Sequence, residues 1–432
     1  MGRHLNFLFL GLFVLLIWLF GGGSEPLDLD AMSNLDTGDM AWMVVSSAFV
    51  LLMTPGLAFF YGGMVNRKHI ISTMLQSFVA LGVVSVVWVL VGFSLCFGES
   101  CGGMIGNPMT FLAFRGVGIE PNGAFAETIP FLLFALFQMK FAIITPALIT
   151  GSLAGRVRFR SYILYMVLFS LVIYPPLAHM TWHPEGLLRQ AGILDFAGGT
   201  VVHMSAGLAA LAGALFLGKR QKNTSDEPAN IPFVILGTGM LWFGWFGFNA
   251  GSAFGANGDA VVAFANTNIA SATAMITWMF YERFMDRKMS AVGACIGAIV
   301  GLVSITPAAG VVTFGESALI GFIAALICNA AIGIAHRSSI DDTLDVFPSH
   351  GIGGMVGMIM TALFAGEVGL VHGGGWSAFG IHVVALIGVT IFAFAGAYVL
   401  FILVNLLIPM RVNLDQEERG LDKSQHGESL LN

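Results

Sequence analysis

Two histidines lie in otherwise apolar stretches of this 432-residue chain, each beside small residues. His203 is followed by Ala206 and Gly207, and His350 is followed directly by Gly351. A single histidine on an apolar helix is more often a satisfied core residue, but small neighbours let two helices approach until both imidazoles meet. A desolvated imidazole favours its neutral form, which donates one hydrogen bond and accepts one. Such a pair holds a cation poorly but can line a path for a small, neutral, hydrogen-bonding molecule.

Aromatic residues at helical spacing form a second candidate site. Phe137 and Phe141 are four residues apart, as are Phe248 and Ser252, and Trp182 ends an apolar stretch. Aromatic faces attract cations, and a serine hydroxyl accepts a hydrogen bond from a cation that carries N–H groups. Because the chain contains 37 Phe, any one of them alone is equally well explained by contact with lipid, and the Trp by an interfacial belt.

Carboxylates precede both histidine segments. Asp195 stands just before the apolar stretch that contains His203, where its simplest role is to cap the first helical turn. The same negative charge would also favour a cation at the mouth of a pore, so both roles can coexist. Asp341, Asp342 and Asp345 precede the His350 segment and are expected to cap it in the same way.

The composition places these residues in a membrane. Hydrophobic residues make up 56% of the chain and charged residues only 10%, against about 25% in soluble domains. The apolar stretches are too long for a β-barrel, so the sequence predicts an all-α polytopic protein with eleven transmembrane helices. The predicted spans are 40–63, 70–97, 128–154, 160–181, 198–219, 230–251, 260–281, 289–306, 317–336, 350–366 and 378–409.

The basic residues predict the orientation, because basic connections stay in the cytoplasm. One alternate set of connections, counted with the tail, contains 15 Lys and Arg, and the other set contains only Arg115 and Arg189. The tail is therefore expected in the cytoplasm and the mature N-terminus outside. Spans 1–5 and 6–10 are expected to form two inverted five-helix repeats, with one histidine from each at the midplane and a final long helix added.

The two ends of the chain have separate expectations. Residues 1–23 are typical of a cleaved signal peptide, although a retained first helix is the alternative. Residues 24–39 would then be an extracytoplasmic segment, 40–409 the membrane domain and 410–432 a cytoplasmic tail. The polar tail is either a solvated end or a regulatory element.

Neither a cofactor nor a metal nor a nucleic acid is expected, because the chain has no phosphate-binding motif and no Cys/His cluster of metal-binding spacing. Among the four cysteines, Cys96 and Cys101 could pair in an oxidising compartment, whereas Cys295 and Cys328 are expected to be small core residues.

From about residue 35 onwards the chain resembles the ammonium transporter (Amt/Mep/Rh) family, and its bacterial and plant Amt branch in particular. The matching stretches are Pro55–Gly63 (PGLAFFYGG), Leu194–His203 (LDFAGGTVVH), Gly244–Ser252 (GWFGFNAGS) and Asp345–Gly351 (DVFPSHG).

The resemblance implies a homotrimer with one pore in each protomer, embedded in the lipid of the inner (plasma) membrane, and a transporter rather than an enzyme. It implies that the tail can bind PII-type regulatory proteins. Matched residue by residue, it implies an outer recruitment site of Phe137, Phe141, Trp182 and Ser252 with Asp195 nearby, a phenyl gate of Phe141 and Phe248, and pore histidines His203 and His350.

The expected function is therefore an ammonium transporter or channel that recruits ammonium, deprotonates it and conducts ammonia. An ammonium sensor signalling through its tail, a Rh-like channel for neutral gas and an intramembrane enzyme are the alternatives. Lys140 lies between Phe137 and Phe141, where a cation beside an ammonium route would be repulsive. Helical spacing turns it about 100° away from Phe141, so we expect it to face a neighbouring helix or subunit.

Overall fold

In the computed structural model, which describes residues 11–12, 14–19, 34–220 and 227–430, eleven helices are long and apolar enough to cross a membrane. They confirm the predicted number of spans. The spans, numbered 1 to 11 in chain order, are Thr37–Met64, Arg67–Phe97, Phe131–Leu153, Phe159–Gln190, Gly199–Leu217, Ile231–Ala253, Gly258–Phe284, Ala291–Ala308, Phe314–Arg337, Phe347–Phe364 and Gly375–Leu407.

Several spans change their helix type along their length. Spans 5 and 10 begin with π-helical turns, Gly199–Met204 and Phe347–Ile352, and continue as the α-helices Ser205–Leu217 and Gly353–Phe364. Span 2 contains Arg67–His69 (3-10), Ile70–Phe78 and Ala80–Val87 (α), Trp88–Gly92 (π) and Phe93–Phe97 (α). Span 4 contains the α-helices Phe159–Val172, Tyr174–Trp182 and Leu187–Gln190, and spans 6 and 8 end in the 3-10 turns Gly251–Ala253 and Thr306–Ala308.

Outside the spans, regular structure is sparse. The short strands Ser100–Cys101 and Ile105–Gly106 pair antiparallel in the loop after span 2. The remaining short elements are the 3-10 turns Leu112–Phe114, Gly366–Val368 and Leu370–His372, the α-helix Leu414–Arg419 and the π-helical turn Asp422–His426.

Polar residues mark where several spans begin. Asn230, Asn257 and Ser290 each accept a hydrogen bond from a backbone N–H of the following first turn. Thr313 and Glu316 form a complete capping box, so span 9 begins three residues before its predicted start. The capping side chains replace the partners that the first backbone N–H groups of a helix otherwise lack.

The outward faces of the long helices are apolar. In spans 9 and 11 only about a third of the most apolar window is buried within the protomer, and exposed side chains such as Val384 and Leu406 are 70% and 75% accessible. Apolar surface on this scale is stable in contact with lipid or with another subunit. The chain is therefore a multi-pass membrane protein.

The basic connections meet at one end of the bundle. Arg156, which is fully buried, and Arg220 both contact Asp341, and Arg220 donates to its carboxylate at 2.8 Å. Burial lowers the pKa of Arg156 to about 10, which leaves the guanidinium charged at neutral pH. Arg411 of the tail donates to the carbonyls of Leu217 and Lys219.

The tail packs against this end of the bundle rather than forming a solvated end. The Asp422 carboxylate accepts hydrogen bonds from the backbone N–H groups of Ile71 and Ser72, at 3.1 and 2.8 Å. The Lys68 ammonium donates to the carbonyl of Glu418, and Leu421 is fully buried. The tail is thus an integral part of the packed protomer.

The predictions for the signal segment, for the pair Cys96 and Cys101 and for Lys140 have different outcomes. The proposed signal segment, 1–23, lies outside the described residues except for 11–12 and 14–19, so it stays a prediction. Cys96 is buried, Cys101 is exposed, and neither forms a disulfide within the described part of the chain. Lys140 is partly buried and has no hydrogen-bond or ion-pair partner among the described residues, so what it faces in the membrane stays a prediction.

Candidate functional site

The two π-helical turns hold the histidines. The N–H of His203 donates to the carbonyl of Gly198, five residues earlier, and His350 lies at the equivalent start of span 10. Both side chains are buried, and their Nδ1 atoms are 3.3 Å apart. The structure therefore brings together two residues that are 147 positions apart in the sequence.

A backbone contact between two glycines makes this meeting possible. A Cβ atom on Gly207 would lie 2.1 Å from the backbone nitrogen of Gly351 and 2.4 Å from its Cα. Spans 5 and 10 therefore touch backbone to backbone, directly beside the histidines. The small residues that flank both histidines in the sequence are what allow this approach.

The contact between the Nδ1 atoms limits the protonation states of the pair. In a hydrogen bond between two nitrogens, one Nδ1 carries the proton and the other accepts it. In the neutral pair the first ring has a bare Nε2 and the second has Nε2–H. Consequently, the pair presents one acceptor and one donor, and it can hold no more than one additional proton without losing the bond between the rings. The Nε2 atom of His203 has no hydrogen-bond partner among the described residues.

Asp195 organises the start of span 5. Its carboxylate accepts hydrogen bonds from the backbone N–H groups of Gly198, Gly199 and Thr200, at 2.8, 2.6 and 2.7 Å, and from the Thr200 hydroxyl at 2.5 Å. Gly198 has a φ of +123°, a conformation that glycine adopts readily and other residues rarely do. Asp195 is therefore a capping residue, as the sequence predicted, and its negative charge is held in one place.

Asp342 has the corresponding position before span 10. Its carboxylate accepts a hydrogen bond from the Phe347 N–H at 2.7 Å, at the first residue of the π-helical turn. Burial raises the pKa of Asp342 to about 6, and the nearby Asp345 carboxylate adds to the effect. The side chain of Asp345 pairs with His336, and that of Asp341 pairs with Arg220. Of the three predicted capping residues, only Asp342 is therefore seen to contact the π-helical turn through its side chain among the described residues.

A cavity of about 320 Å³ lies at the end of the bundle opposite the basic connections. We call it the vestibule, and Phe141, Trp182, Asp195 and Ser252 are among its lining residues. The Ser252 hydroxyl donates to the carbonyl of Phe248 at 2.8 Å, which leaves the oxygen lone pairs as acceptors.

Phe137, in contrast, is fully buried and does not line the vestibule. Its ring lies behind Phe141, with 4.9 Å between the two ring centroids. The structure thus places four of the five predicted substrate-binding residues at one cavity and the fifth in the layer that supports it.

Two phenyl rings separate the vestibule from the histidines. The rings of Phe141 and Phe248 are 4.2 Å apart between centroids, and the Phe248 ring is 5.9 Å from the His203 ring. Beyond them, a cavity of about 10 Å³ is lined by apolar side chains together with His203 and His350. A volume of this size accommodates about one water-sized molecule.

Several lining residues of the vestibule were not predicted as site residues from the sequence. They are Gln138, Thr181, Arg189 and Phe254. Phe254 has a φ of +55° at the end of span 6, where its ring packs 6.0 Å from that of Phe137. No sequence signal indicates that a phenylalanine takes this left-handed conformation, whereas the position of Gln138 three residues before Phe141 does predict a shared helix face.

Within the described residues, no three His, Cys, Asp or Glu side chains converge on a possible metal position. The arrangement therefore consists of a polar and aromatic cavity, a closed pair of rings and a small, mostly apolar cavity that two contacting imidazoles line. Aromatic faces with a hydroxyl acceptor suit a small cation, and a small cavity with one donor and one acceptor suits a small hydrogen-bonding molecule.

Comparison with known sequences gives a consistent result. The model of the Ammonium Transporter Family matches residues 41–430. A protein of Aquifex aeolicus named ammonium transporter is 43% identical over 432 residues, covering 98% of this chain and 99% of its own. An ammonium transporter of Bacillus subtilis is 42% identical, with 91% and 98% covered.

Solved structures resemble the fold over the same region. The crystal structure of Candida albicans Mep2 matches with a TM-score of 0.84 and 33% identity, covering 90% of this chain and 89% of that one. A structure named Sensor Amt Protein matches with a TM-score of 0.83 and 29% identity, with 90% and 98% covered.

Proposed function

Because this chain belongs to the ammonium transporter family, we propose that it recruits ammonium in the vestibule, removes one proton and conducts ammonia through the channel that the two histidines line. One observation carries the proposal, namely that the vestibule, the phenyl pair and the histidine pair follow one another in a single line of contacts. Trp182 contacts Phe141, Phe141 contacts Phe248, and Phe248 contacts His203.

Recruitment uses cation–π attraction and one hydrogen bond. The rings of Phe141 and Trp182 are 5.9 Å apart and nearly perpendicular, and both line the vestibule, where a cation is attracted to the faces of the rings and not to their edges. Ser252 accepts a hydrogen bond from ammonium, because its own proton is already donated to a carbonyl. Potassium gains the first interaction but has no N–H group to make the second.

The Asp195 carboxylate acts over a distance. Within the described part of the chain, all the hydrogen bonds that this carboxylate accepts come from its own segment, so it favours a cation in the vestibule through its charge rather than by direct coordination. Phe137 supports the position of Phe141 from behind.

Deprotonation follows from the size and apolarity of the channel. A bare cation that leaves water for such a space incurs a desolvation penalty of many kcal/mol. Ammonium can pass one proton to a water molecule in the vestibule, which leaves neutral ammonia to pass the phenyl gate of Phe141 and Phe248 and then hydrogen-bond with His203 and His350. Potassium has no proton to lose and is excluded.

The remaining features of the proposal concern assembly and location. The transporter is a homotrimer in the lipid of the inner (plasma) membrane, with its N-terminus outside and its tail in the cytoplasm. The vestibule and the basic connections lie at opposite ends of the bundle, and this arrangement supports the orientation, because basic connections stay in the cytoplasm. A PII-type regulatory protein would bind at the end where the tail is packed.

A sensor is the second candidate function. Its support is the similarity to the Sensor Amt Protein structure, together with a tail that contacts span 2 directly. In this reading, occupancy of the same vestibule would be reported through the tail to a partner, with little or no flux.

The test is the current evoked by an ammonium pulse in proteoliposomes on a solid-supported membrane, with a pH-sensitive dye inside the vesicles. We expect a response to ammonium and none to potassium, and altered flux or selectivity in His203→Ala and His350→Ala. His372→Ala, which changes a histidine at a peripheral ion pair with Glu316, is the matched control.

Wild-type flux and selectivity in both pore variants would refute the role of the paired histidines. Absence of both current and dye response in folded, inserted wild-type protein would refute transport and favour the sensor. A dye response without current would show that ammonia crosses without its proton, as in a channel for neutral gas, and a current would show that the proton crosses as well.

A further inference from the structure

One histidine of span 11 reaches the wall of the vestibule from behind. His382 is only 4% exposed, and no described residue of span 11 is among those that line the vestibule or the small cavity. Its Nε2 atom lies 3.1 Å from the backbone nitrogen of Leu194, and its Nδ1 atom lies 3.0 Å from the carbonyl oxygen of Ala378, one turn earlier in the same helix. Leu194 itself lines the vestibule, directly before Asp195.

These two contacts fix where the proton of the imidazole lies. A backbone carbonyl can only accept a hydrogen bond, so Nδ1 of His382 carries the proton and donates it to Ala378. A backbone N–H can only donate, so Nε2 is bare and accepts from Leu194. A second proton on the ring would point at this N–H and break the contact. In this arrangement His382 is therefore a neutral imidazole with both nitrogens in use.

The segment that His382 contacts is held by three different spans. Span 11 binds the N–H of Leu194 through the imidazole. Trp182 of span 4 donates its indole N–H to the carbonyl of Asp195, at 3.2 Å. The N–H of residue 196 donates to the carbonyl of Pro307, in span 8, at 3.0 Å. Since each of these spans is bound at a different backbone group, the loss of one hydrogen bond leaves the segment 194–196 less constrained.

We propose that His382 is a positioning residue, which holds Asp195 and Trp182 in place by accepting a hydrogen bond from the N–H of Leu194 and does not contact the substrate. Asp195 acts on a cation through its charge, and its carbonyl accepts from Trp182, so a displaced segment moves both. A buried N–H without an acceptor has a free-energy cost, and the segment would move towards water to avoid it. This inference rests on the proposed function.

The test compares His382→Gln with His382→Asn. The amide of Gln reaches the position of Nε2 and can accept from Leu194, whereas the shorter Asn reaches only the position of Nδ1. Thr390→Val is the control, because Thr390 lies in the same span and donates to the carbonyl of Leu386, one turn earlier. For each protein, the KM and the maximal current for ammonium are measured in proteoliposomes, together with the hydrogen exchange of the Leu194 amide.

We expect the KM for ammonium to rise about fivefold in His382→Asn, because only the fraction of protein with the segment in place recruits ammonium. This change corresponds to about 1 kcal/mol, the net contribution of one hydrogen bond. Maximal current should stay near that of the wild type, since the phenyl gate and the pore histidines are unchanged. The Leu194 amide should exchange faster. His382→Gln should restore both the KM and the protection of this amide, and Thr390→Val should give wild-type values.

An unchanged KM in His382→Asn would overturn the proposal, and so would an equal rise in His382→Gln, because the acceptor would then not matter. A lower maximal current at unchanged KM would also overturn it, since that result shows only a smaller amount of active protein. If His382→Asn does not insert, His382→Leu, which also lacks the acceptor, replaces it. A Leu194 amide that exchanges in the wild type as fast as an exposed amide would overturn the proposal whatever the variants do. The absence of any wild-type response to ammonium would instead refute the proposed function, and the exchange measurement would still show whether His382 holds the segment.

Discussion

Replacing Gly207 by alanine should separate the two pore histidines without changing either of them. The added Cβ would lie 2.1 Å from the backbone nitrogen of Gly351, 2.4 Å from its Cα and 3.0 Å from the carbonyl carbon of His350. All three atoms belong to the backbone, so no flexible side chain can move aside. The spans themselves must therefore shift.

The required shift follows from these distances. Ordinary van der Waals contact for a Cβ begins at 3.4 Å, so the nearest pair of atoms must separate by 3.4 minus 2.1, or about 1.3 Å. The Nδ1 atoms of His203 and His350 are 3.3 Å apart, and the same displacement along their line takes them to about 4.6 Å. This distance is beyond hydrogen-bond range. Overpacking of this kind costs about 1–3 kcal/mol.

We therefore expect Gly207→Ala to behave in transport as the histidine variants do. The assay is the ammonium-evoked current, with potassium as the competing cation, in proteoliposomes of equal protein content. Gly388→Ala is the matched control, because a Cβ there has no atom within 4 Å and the substitution also lies within a span. Its current should equal that of the wild type.

The result that would refute this reasoning is specific. If Gly207→Ala is folded, as shown by an unchanged elution profile and a cooperative thermal transition, and carries ammonium with wild-type rate and selectivity, then the contact between the imidazoles is not required. The control excludes a general effect of alanine, which is a better helix former than glycine by about 1 kcal/mol.

Two further predictions concern the end of the bundle where the basic connections meet. Burial raises the pKa of Asp342 to about 6 from its ordinary value of 3.8. The folded protein therefore binds this proton more tightly than the unfolded chain does. The resulting contribution to the free energy of unfolding is fully present below pH 3.8 and is lost as the pH rises through about 6. Asp342→Asn, which still accepts from Phe347, should therefore show a Tm that varies less over this pH range; an equally steep Tm profile would contradict the assignment. Asp422→Ala removes the acceptor for two backbone N–H groups in the first turn of the α-helix Ile70–Phe78 in span 2, and it should cost about 1 kcal/mol of tail docking. Faster proteolysis of the tail, with no change in Asp415→Ala as the exposed control, is the expected result, and equal cleavage rates would contradict it.

The number of spans could be predicted from the sequence, because a run of about 20 apolar residues has few other stable states. Where boundaries differ, local side-chain bonds are the reason, as with Thr313 and Glu316 at the start of span 9. The packing of the tail could not be predicted, because it depends on where Asp422 meets a helix start that lies about 350 residues earlier.

The candidate site could be predicted only where a residue type is conspicuous in its surroundings. A histidine or an aspartate in an apolar stretch has a high free-energy cost in a membrane, so its presence there indicates a function. Gln138 and Thr181 also line the vestibule, but they are ordinary by type, and nothing in the sequence separates them from the other polar residues of the spans. The π-helical turns leave no signal in the apolar pattern of the sequence, since they shift the hydrogen-bond ladder by one residue without changing that pattern.

Because of the hydrogen bond between the two Nδ1 atoms, the tautomers of the histidine pair depend on the direction of the last proton that it transferred. Suppose the bare Nε2 of one ring takes up a proton, the shared proton moves across the 3.3 Å between the rings, and the other ring releases its Nε2 proton. One charge has crossed, yet both rings now have the opposite tautomer. The pair can at once return a proton in the reverse direction, but it must exchange both tautomers before it passes another forward. The exchange of both tautomers is therefore a required step in each forward transfer. Its rate would set the upper limit for any proton current through the rings.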